Sequence, residues 1–273
     1  MEDNRKIIRI GLTILAVVVV VGGLLYYFLE YRKPGVVPPI VPTDPVEIGE
    51  APKTVVEDPE DILALPRLEL ETSDDIIRGL VQDISSHPRL ASWLKTKELV
   101  RKFVAAVDNV ANGVSPRAQI DFFVPSRAFT VSRGYVAPAS FDRYDPAADV
   151  FVSIDAVAAA RLYRSLQPLI QEAYRDLGYP DQDFKETLIR AMSELLSVPL
   201  VEGRVRVDQK VLAYVFADPE LEKLSPAQKH FLRMGRDNVQ VIQGKIREIA
   251  AALNIPDKSL PRTRSYTPSV RRP

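Results

Sequence analysis

Twenty consecutive residues, Ile10 to Leu29, carry no charge: IGLTILAVVVVVGGLLYYFL. At ~1.5 Å per helical residue such a segment spans about 30 Å, the thickness of a bilayer's hydrocarbon core. Thirteen of the twenty are Leu, Ile, Val or Phe. At roughly 0.3–0.6 kcal/mol each, they favour insertion by about 4–8 kcal/mol. The run Val17 to Val21 is a mediocre helix in water, but in lipid the backbone has no other partner and must bond to itself. Tyr26, Tyr27 and Tyr31 stand at the boundary, where amphipathic rings prefer the headgroup level. A cleaved signal peptide has a shorter apolar core and a small-x-small site, which Tyr26-Tyr27-Phe28-Leu29-Glu30 does not offer. A buried core helix would need something to pack against, and a proline-rich stretch follows at once. The segment 10–29 therefore reads as a single transmembrane helix in contact with the lipid bilayer. Arg5, Lys6 and Arg9 precede it and Arg32 and Lys33 follow. Three against two places 1–9 in the cytoplasm and the rest of the chain outside, which in a bacterial inner membrane is the periplasm.

Residues 30–66 read as an acidic, proline-rich linker. Eight prolines lie between Pro34 and Pro66, and proline removes the donor that helix and sheet need. Between Pro34 and Asp75 eleven acids face only Lys53 and Arg67, whereas from Pro256 onward Lys258, Arg262, Arg264, Arg271 and Arg272 face only Asp257. The whole chain is neutral, with 36 basic and 36 acidic residues. It offers no global field for nucleic acid, and none is expected as a partner.

From Ser73 onward helical spacing dominates, so residues 67–255 are expected to form a mainly α soluble domain with one or two short β-hairpins. Ser73 reads as an N-cap, with Asp74 and Asp75 in the first turn as complements of the helix dipole. Leu99, Val100, Phe103, Val104, Val107, Val110 and Ala111 form an apolar stripe over four turns, closed by Gly113. Phe129 to Val131 and Tyr135-Val136 flank Ser132-Arg133-Gly134, a hairpin pattern. Asp145-Pro146 opens another helix. The next, Asp155 to Leu177, contains Pro168, which should kink or split it. Asp183 and Ser225-Pro226 cap further helices, and Asp237 to Leu253 forms the last. Val201, Val205 and Val207 alternate, suggesting a second strand pair. The tail 256–273, rich in Pro, Ser and Arg, is expected to be disordered.

Chemistry is sparse. With no cysteine, disulfides, thiolate nucleophiles and cysteine metal sites are excluded. The two histidines, His87 and His230, lack a second histidine at ligand spacing. No nucleophile-elbow, dinucleotide or Walker phosphate signature occurs. No cofactor, metal ligand or catalytic residue is assigned. Arg143-Tyr144-Asp145 is the densest polar-aromatic cluster and has two readings: part of a functional groove, or a helix cap with a stacked arginine.

Arg143-Tyr144-Asp145-Pro146, Gly178-Tyr179-Pro180-Asp181 and above all Phe216 to Gly235, FADPELEKLSPAQKHFLRMG, resemble a bacterial membrane-anchored family known as domain of unknown function 3014. The resemblance runs from Pro66 to Leu253. It implies a bacterial cell-envelope location and carries over no catalytic residue. The sequence thus leads to a membrane-anchored envelope protein that presents a helical interaction domain to a protein partner. The alternative is a carboxylate-dependent hydrolase or ligand-binding domain acting on cell-wall or lipid material.

Overall fold

The computed structural model describes residues 63, 65, 67–120, 125–211 and 213–269. The chain divides into two compact units, 1–55 and 56–273. The first, with the expected anchor at 10–29 and most of the linker, lies outside the described residues. Among the described residues no helix is long and apolar enough to cross a membrane.

The second unit is mainly helical, as its periodicity predicts. In chain order the helices are α1 (Asp74–Val81), α2 (Pro88–Trp93), α3 (Leu99–Ala111), α4 (Pro138–Asp142), α5 (Asp145–Val152), α6 (Ala156–Asp176), α7 (Phe184–Leu196), α8 (Pro219–Glu222), α9 (Pro226–Leu232) and α10 (Arg236–Ala252). The strands are β1 (Val131–Ser132), β2 (Tyr135–Val136), β3 (Leu200–Val201), β4 (Val207–Gln209), β5 (Tyr214–Phe216) and β6 (Ser265–Tyr266). The core forms where α3 packs on α6 and α7, and α10 packs on α5, α6 and α7. Leu162, Leu166, Leu169, Ile170, Ala173 and Tyr174 turn one side of α6 inward, an i, i+3, i+4 pattern that burial alone enforces. Tyr174 stacks on Tyr179 at 4.6 Å between ring centres and meets Phe184 edge-on at 5.3 Å. Its hydroxyl shares a 2.8 Å hydrogen bond with the buried Thr187, so the polar end of the ring does not go unpaired in the core.

Most expected caps form. Asp155, Asp183 and Ser225 each accept a backbone N–H at the start of α6, α7 and α9, and Ser225 with Gln228 completes a capping box. At the end of α3, Val114 N–H donates to Asn109 and Gly113 N–H to Val110, which satisfies carbonyls that the helix leaves open.

Ser73 behaves differently from expectation. Its hydroxyl donates to Leu70 O instead of capping α1. Asp74 is not merely a dipole complement of its own helix. Its two carboxylate oxygens accept Glu98 N–H and Leu99 N–H at 2.8 and 2.9 Å, capping α3 from outside. His87 opens α2, its Nδ1 accepting Arg89 N–H. Asp145 is the first residue of α5, with Tyr144 before it in the cap position. Pro168 does not split its helix. α6 runs unbroken through it, because Pro168 lies on the exposed side and removes only one N–H.

The first hairpin is present, with Val131 opposite Val136 and Ser132 opposite Tyr135. Its turn residues Arg133 and Gly134 both have positive φ, 52° and 78°, the conformation a two-residue primed turn requires. The second pair is β4 with β5, antiparallel, and a bridge between Tyr135 and Arg206 joins the two hairpins.

The expectation of a disordered tail is overturned for residues 256–269. β6 pairs in parallel with β3. Leu200 N–H donates to Arg264 O and Glu202 N–H to Tyr266 O. Ile255 and Leu260 are buried. Composition suggested disorder, but two apolar anchors and an unfilled strand edge order the segment.

Candidate functional site

Two sites stand out among the described residues. The first grows from Arg143 and Tyr144. Arg143 leaves α4 with its guanidinium 4.8 Å from the centre of the Tyr144 ring and 5.5 Å from that of Phe129. Its Nε–H donates to Ser140 O, one terminal nitrogen to Arg127 O and the other to the Tyr144 hydroxyl. Tyr144 is 6% exposed. Asp145 points elsewhere and accepts a 2.9 Å hydrogen bond from Asn238 of α10. The stacked-arginine reading therefore describes Arg143 and Tyr144, while Asp145 serves as a tie between helices.

The same locus gathers residues from the far end of the sequence. Phe129 packs on Tyr214 at 5.6 Å. Arg233 donates to Tyr214 O and lies 5.2 Å from the Phe216 ring centre. His230, one turn back on α9, shares a 2.7 Å hydrogen bond with Ser115. Burial, and then the cations of Arg233, Arg117 and Arg143, hold the His230 imidazole below its ordinary value. Burial also lowers Arg233, an effect that Glu222 and Tyr144 oppose and Arg143 reinforces. The nearby acid Glu222 is paired at 2.9 Å with Lys229. Sequence reading assigned His230 no role and passed over Arg233, because ninety residues of chain separate them from Arg143.

The second site is a half-open cavity of about 350 Å³ between α1, α3 and α6. Its walls include Val100, Phe103, Ile120, Leu162, Leu166 and Ile170. Among the described residues no carboxylate lines it. The polar groups at its edge are Lys102, which donates to Thr96 Oγ1, Gln119, which accepts from Asn109, and Tyr163. Burial, and then the Asp183 carboxylate, push the Tyr163 hydroxyl well above its usual range, so it is a neutral donor at any physiological pH. Phe103 is 42% exposed. The apolar stripe of α3 was legible in the sequence. That the stripe is wider than its partners cover was not.

Neither curated proteins nor solved structures give a match to this chain. The family model described as "Protein of unknown function (DUF3014)" matches residues 99–250, from the start of α3 to near the end of α10. This takes in all three sequence stretches that carry the resemblance, although it begins after α1 and α2 rather than at Pro66. Because the match spans more than half of the chain, the protein belongs to the DUF3014 family.

Proposed function

We propose that this protein is a bilayer-tethered binding protein whose helical domain takes the hydrocarbon chain of a lipid into the cavity between α1, α3 and α6. The observation that carries this reading is the cavity itself. It holds about 350 Å³ and is walled almost wholly by aliphatic and aromatic side chains. A small-molecule pocket typically measures ~300–1,000 Å³ and is mostly apolar with a few polar groups at its edge. Each methylene transferred from water to such a lining contributes about 0.8 kcal/mol, so about ten give ~8 kcal/mol before the ligand's immobilisation is subtracted. The lack of a carboxylate among the described lining residues favours binding over carboxylate-dependent hydrolysis there. In this reading residues 10–29 anchor the chain in a bacterial inner membrane. The linker lets the periplasmic domain reach lipid at the membrane face.

A second reading is an interaction domain for a protein partner. It draws on Phe103, which presents an exposed ring at the cavity's edge and would suit the apolar side of a partner helix. The test uses the full-length chain in cells fed a diazirine-bearing fatty acid, followed by irradiation and peptide mapping. Label on peptides of 99–111 and 156–176 is expected, and Ala106→Phe or Ala159→Phe should abolish it while leaving label on 10–29. Label confined to 10–29 in the wild type would overturn the lipid reading.

A further inference from the structure

We propose that Arg143, Arg233 and His230, with Arg117 at the rim, form a binding site for a phosphate-bearing ligand, separate from the apolar cavity. The case begins with several arginines elsewhere in the domain that meet acids. Arg78 meets Asp74 and Asp75, Arg101 meets Glu71 and Asp176, Arg236 meets Glu202, and Arg247 meets Asp257. The cluster arginines do otherwise. Among the described residues Arg143 donates only to two carbonyls and a phenol, Arg127 to Asp142 O and Arg233 to Tyr214 O. None of these acceptors carries a charge. Glu222, the acid that acts on Arg233, is held by Lys229 and by Phe216 N–H.

Half-buried cations that no acid pairs directly among the described residues are costly to maintain. A fold keeps them where an anion arrives from outside. A guanidinium has five N–H donors. Arg143 uses three of its own and Arg233 one, so both keep donors for a ligand. Stacking on Tyr144, Phe129 and Phe216 fixes the planes of the two guanidiniums, and fixed planes suit the bidentate geometry of phosphate. Several cations converging on one locus match a dianion better than a single carboxylate. His230 adds a proton-dependent element: an anion would favour its charged form, against burial and against Arg233, Arg117 and Arg143. Lys229, its neighbour on α9, is paired with Glu222.

The experiment titrates the full-length chain in detergent with inorganic phosphate, diphosphate and dihexanoyl phosphatidic acid by calorimetry, at constant ionic strength. Saturable binding is expected. Arg143→Gln and Arg233→Gln should each weaken it at least 10-fold, and Arg247→Gln, whose cation pairs elsewhere, should leave it unchanged. His230 should titrate at higher pH by NMR when the ligand is bound. If a glutamine variant fails to fold, Arg143→Lys and Arg233→Lys keep the charge and should show a smaller loss. Tighter binding of the short-chain lipid than of inorganic phosphate assigns the group to a headgroup. Preference for diphosphate assigns it to a free phosphate compound. No binding by folded wild type, or binding insensitive to both arginines, overturns the proposal.

Discussion

Asp218 accepts the Tyr266 hydroxyl on both carboxylate oxygens, each at 2.9 Å, across 48 residues of sequence. The same carboxylate caps α8 through Glu220 and Leu221 N–H and holds the backbone and hydroxyl of Ser269. One side chain thus serves as helix cap and as clasp for the C-terminal strand. Asp218 belongs to the stretch Phe216 to Gly235, whereas the strand that it clasps lies beyond the matched residues 99–250. Burial alone would raise this carboxyl. The hydrogen bonds from Tyr266, Ser269, Leu221 and Glu220 outweigh it and hold the group below the ordinary carboxylate range.

Replacing Asp218 with alanine should therefore destabilise the domain by about 2–3 kcal/mol, because several donors to a charged acceptor lose their partner together. The pH dependence follows from the direction of the shift. With the folded value lowered, the contribution is fully present above the unfolded value of about 3.9 and is lost as pH falls through the folded one. Urea denaturation of wild type and Asp218→Ala at pH 7 and pH 3 should show the gap narrowing in acid. A gap independent of pH would show that the ionised carboxylate is not what the donors require.

His230 should act in the opposite sense. Its folded value is lowered by burial and by Arg233, Arg117 and Arg143, so the unfolded chain takes up a proton more readily than the folded one. Stability should fall as pH drops below about 6.5, and His230→Gln should flatten that part of the profile. Thermal melts between pH 7.5 and pH 5 check this.

Gly235 has φ +89°, and a Cβ built on it would sit 2.8 Å from the Phe141 side chain. Gly134 also has positive φ, but a Cβ there meets nothing within 4 Å. Gly134→Ala should cost about 1–2 kcal/mol, from backbone strain alone. Gly235→Ala should cost about 1–3 kcal/mol more, since Phe141 must move as well. Equal losses in chemical denaturation would mean that the ring yields freely.

Asp74→Ala should lower stability by about 1–2 kcal/mol through the start of α3, where Glu98 stands at φ +58° and Asp74 accepts the N–H groups of Glu98 and Leu99. Hydrogen exchange should quicken first at the amides of 98–101. If exchange instead quickens only within 74–81, the carboxylate serves its own helix.

The elements that the sequence announces are those whose signals are local. Apolar spacing along Leu162 to Tyr174 and the caps Asp155, Asp183 and Ser225 appear where periodicity places them, because each depends on residues within a turn or two. Errors arise where a side chain is claimed by a distant segment. Ser73 merely turns back to Leu70 O, three residues away, but Asp74 is drawn to α3, a partner not visible from adjacent residues. The tail misled for the same reason: nothing in its composition reveals the edge of β3. The arginine cluster was half legible. Arg143 and Tyr144 are neighbours in sequence, but Arg233 and His230 join them only on folding, where Phe129 meets Tyr214 and Asn238 meets Asp145. The cavity left no trace in any single helix, since it is a mismatch among three.

The parallel pairing of β3 with β6 has a consequence for biosynthesis. Leu200 and Val201 emerge from the ribosome some sixty residues before Ser265 and Tyr266, so the nascent domain carries an open strand edge throughout that interval. A fragment released early by a premature stop codon would keep that edge permanently. The last residues made are thus the ones that close the edge of β3.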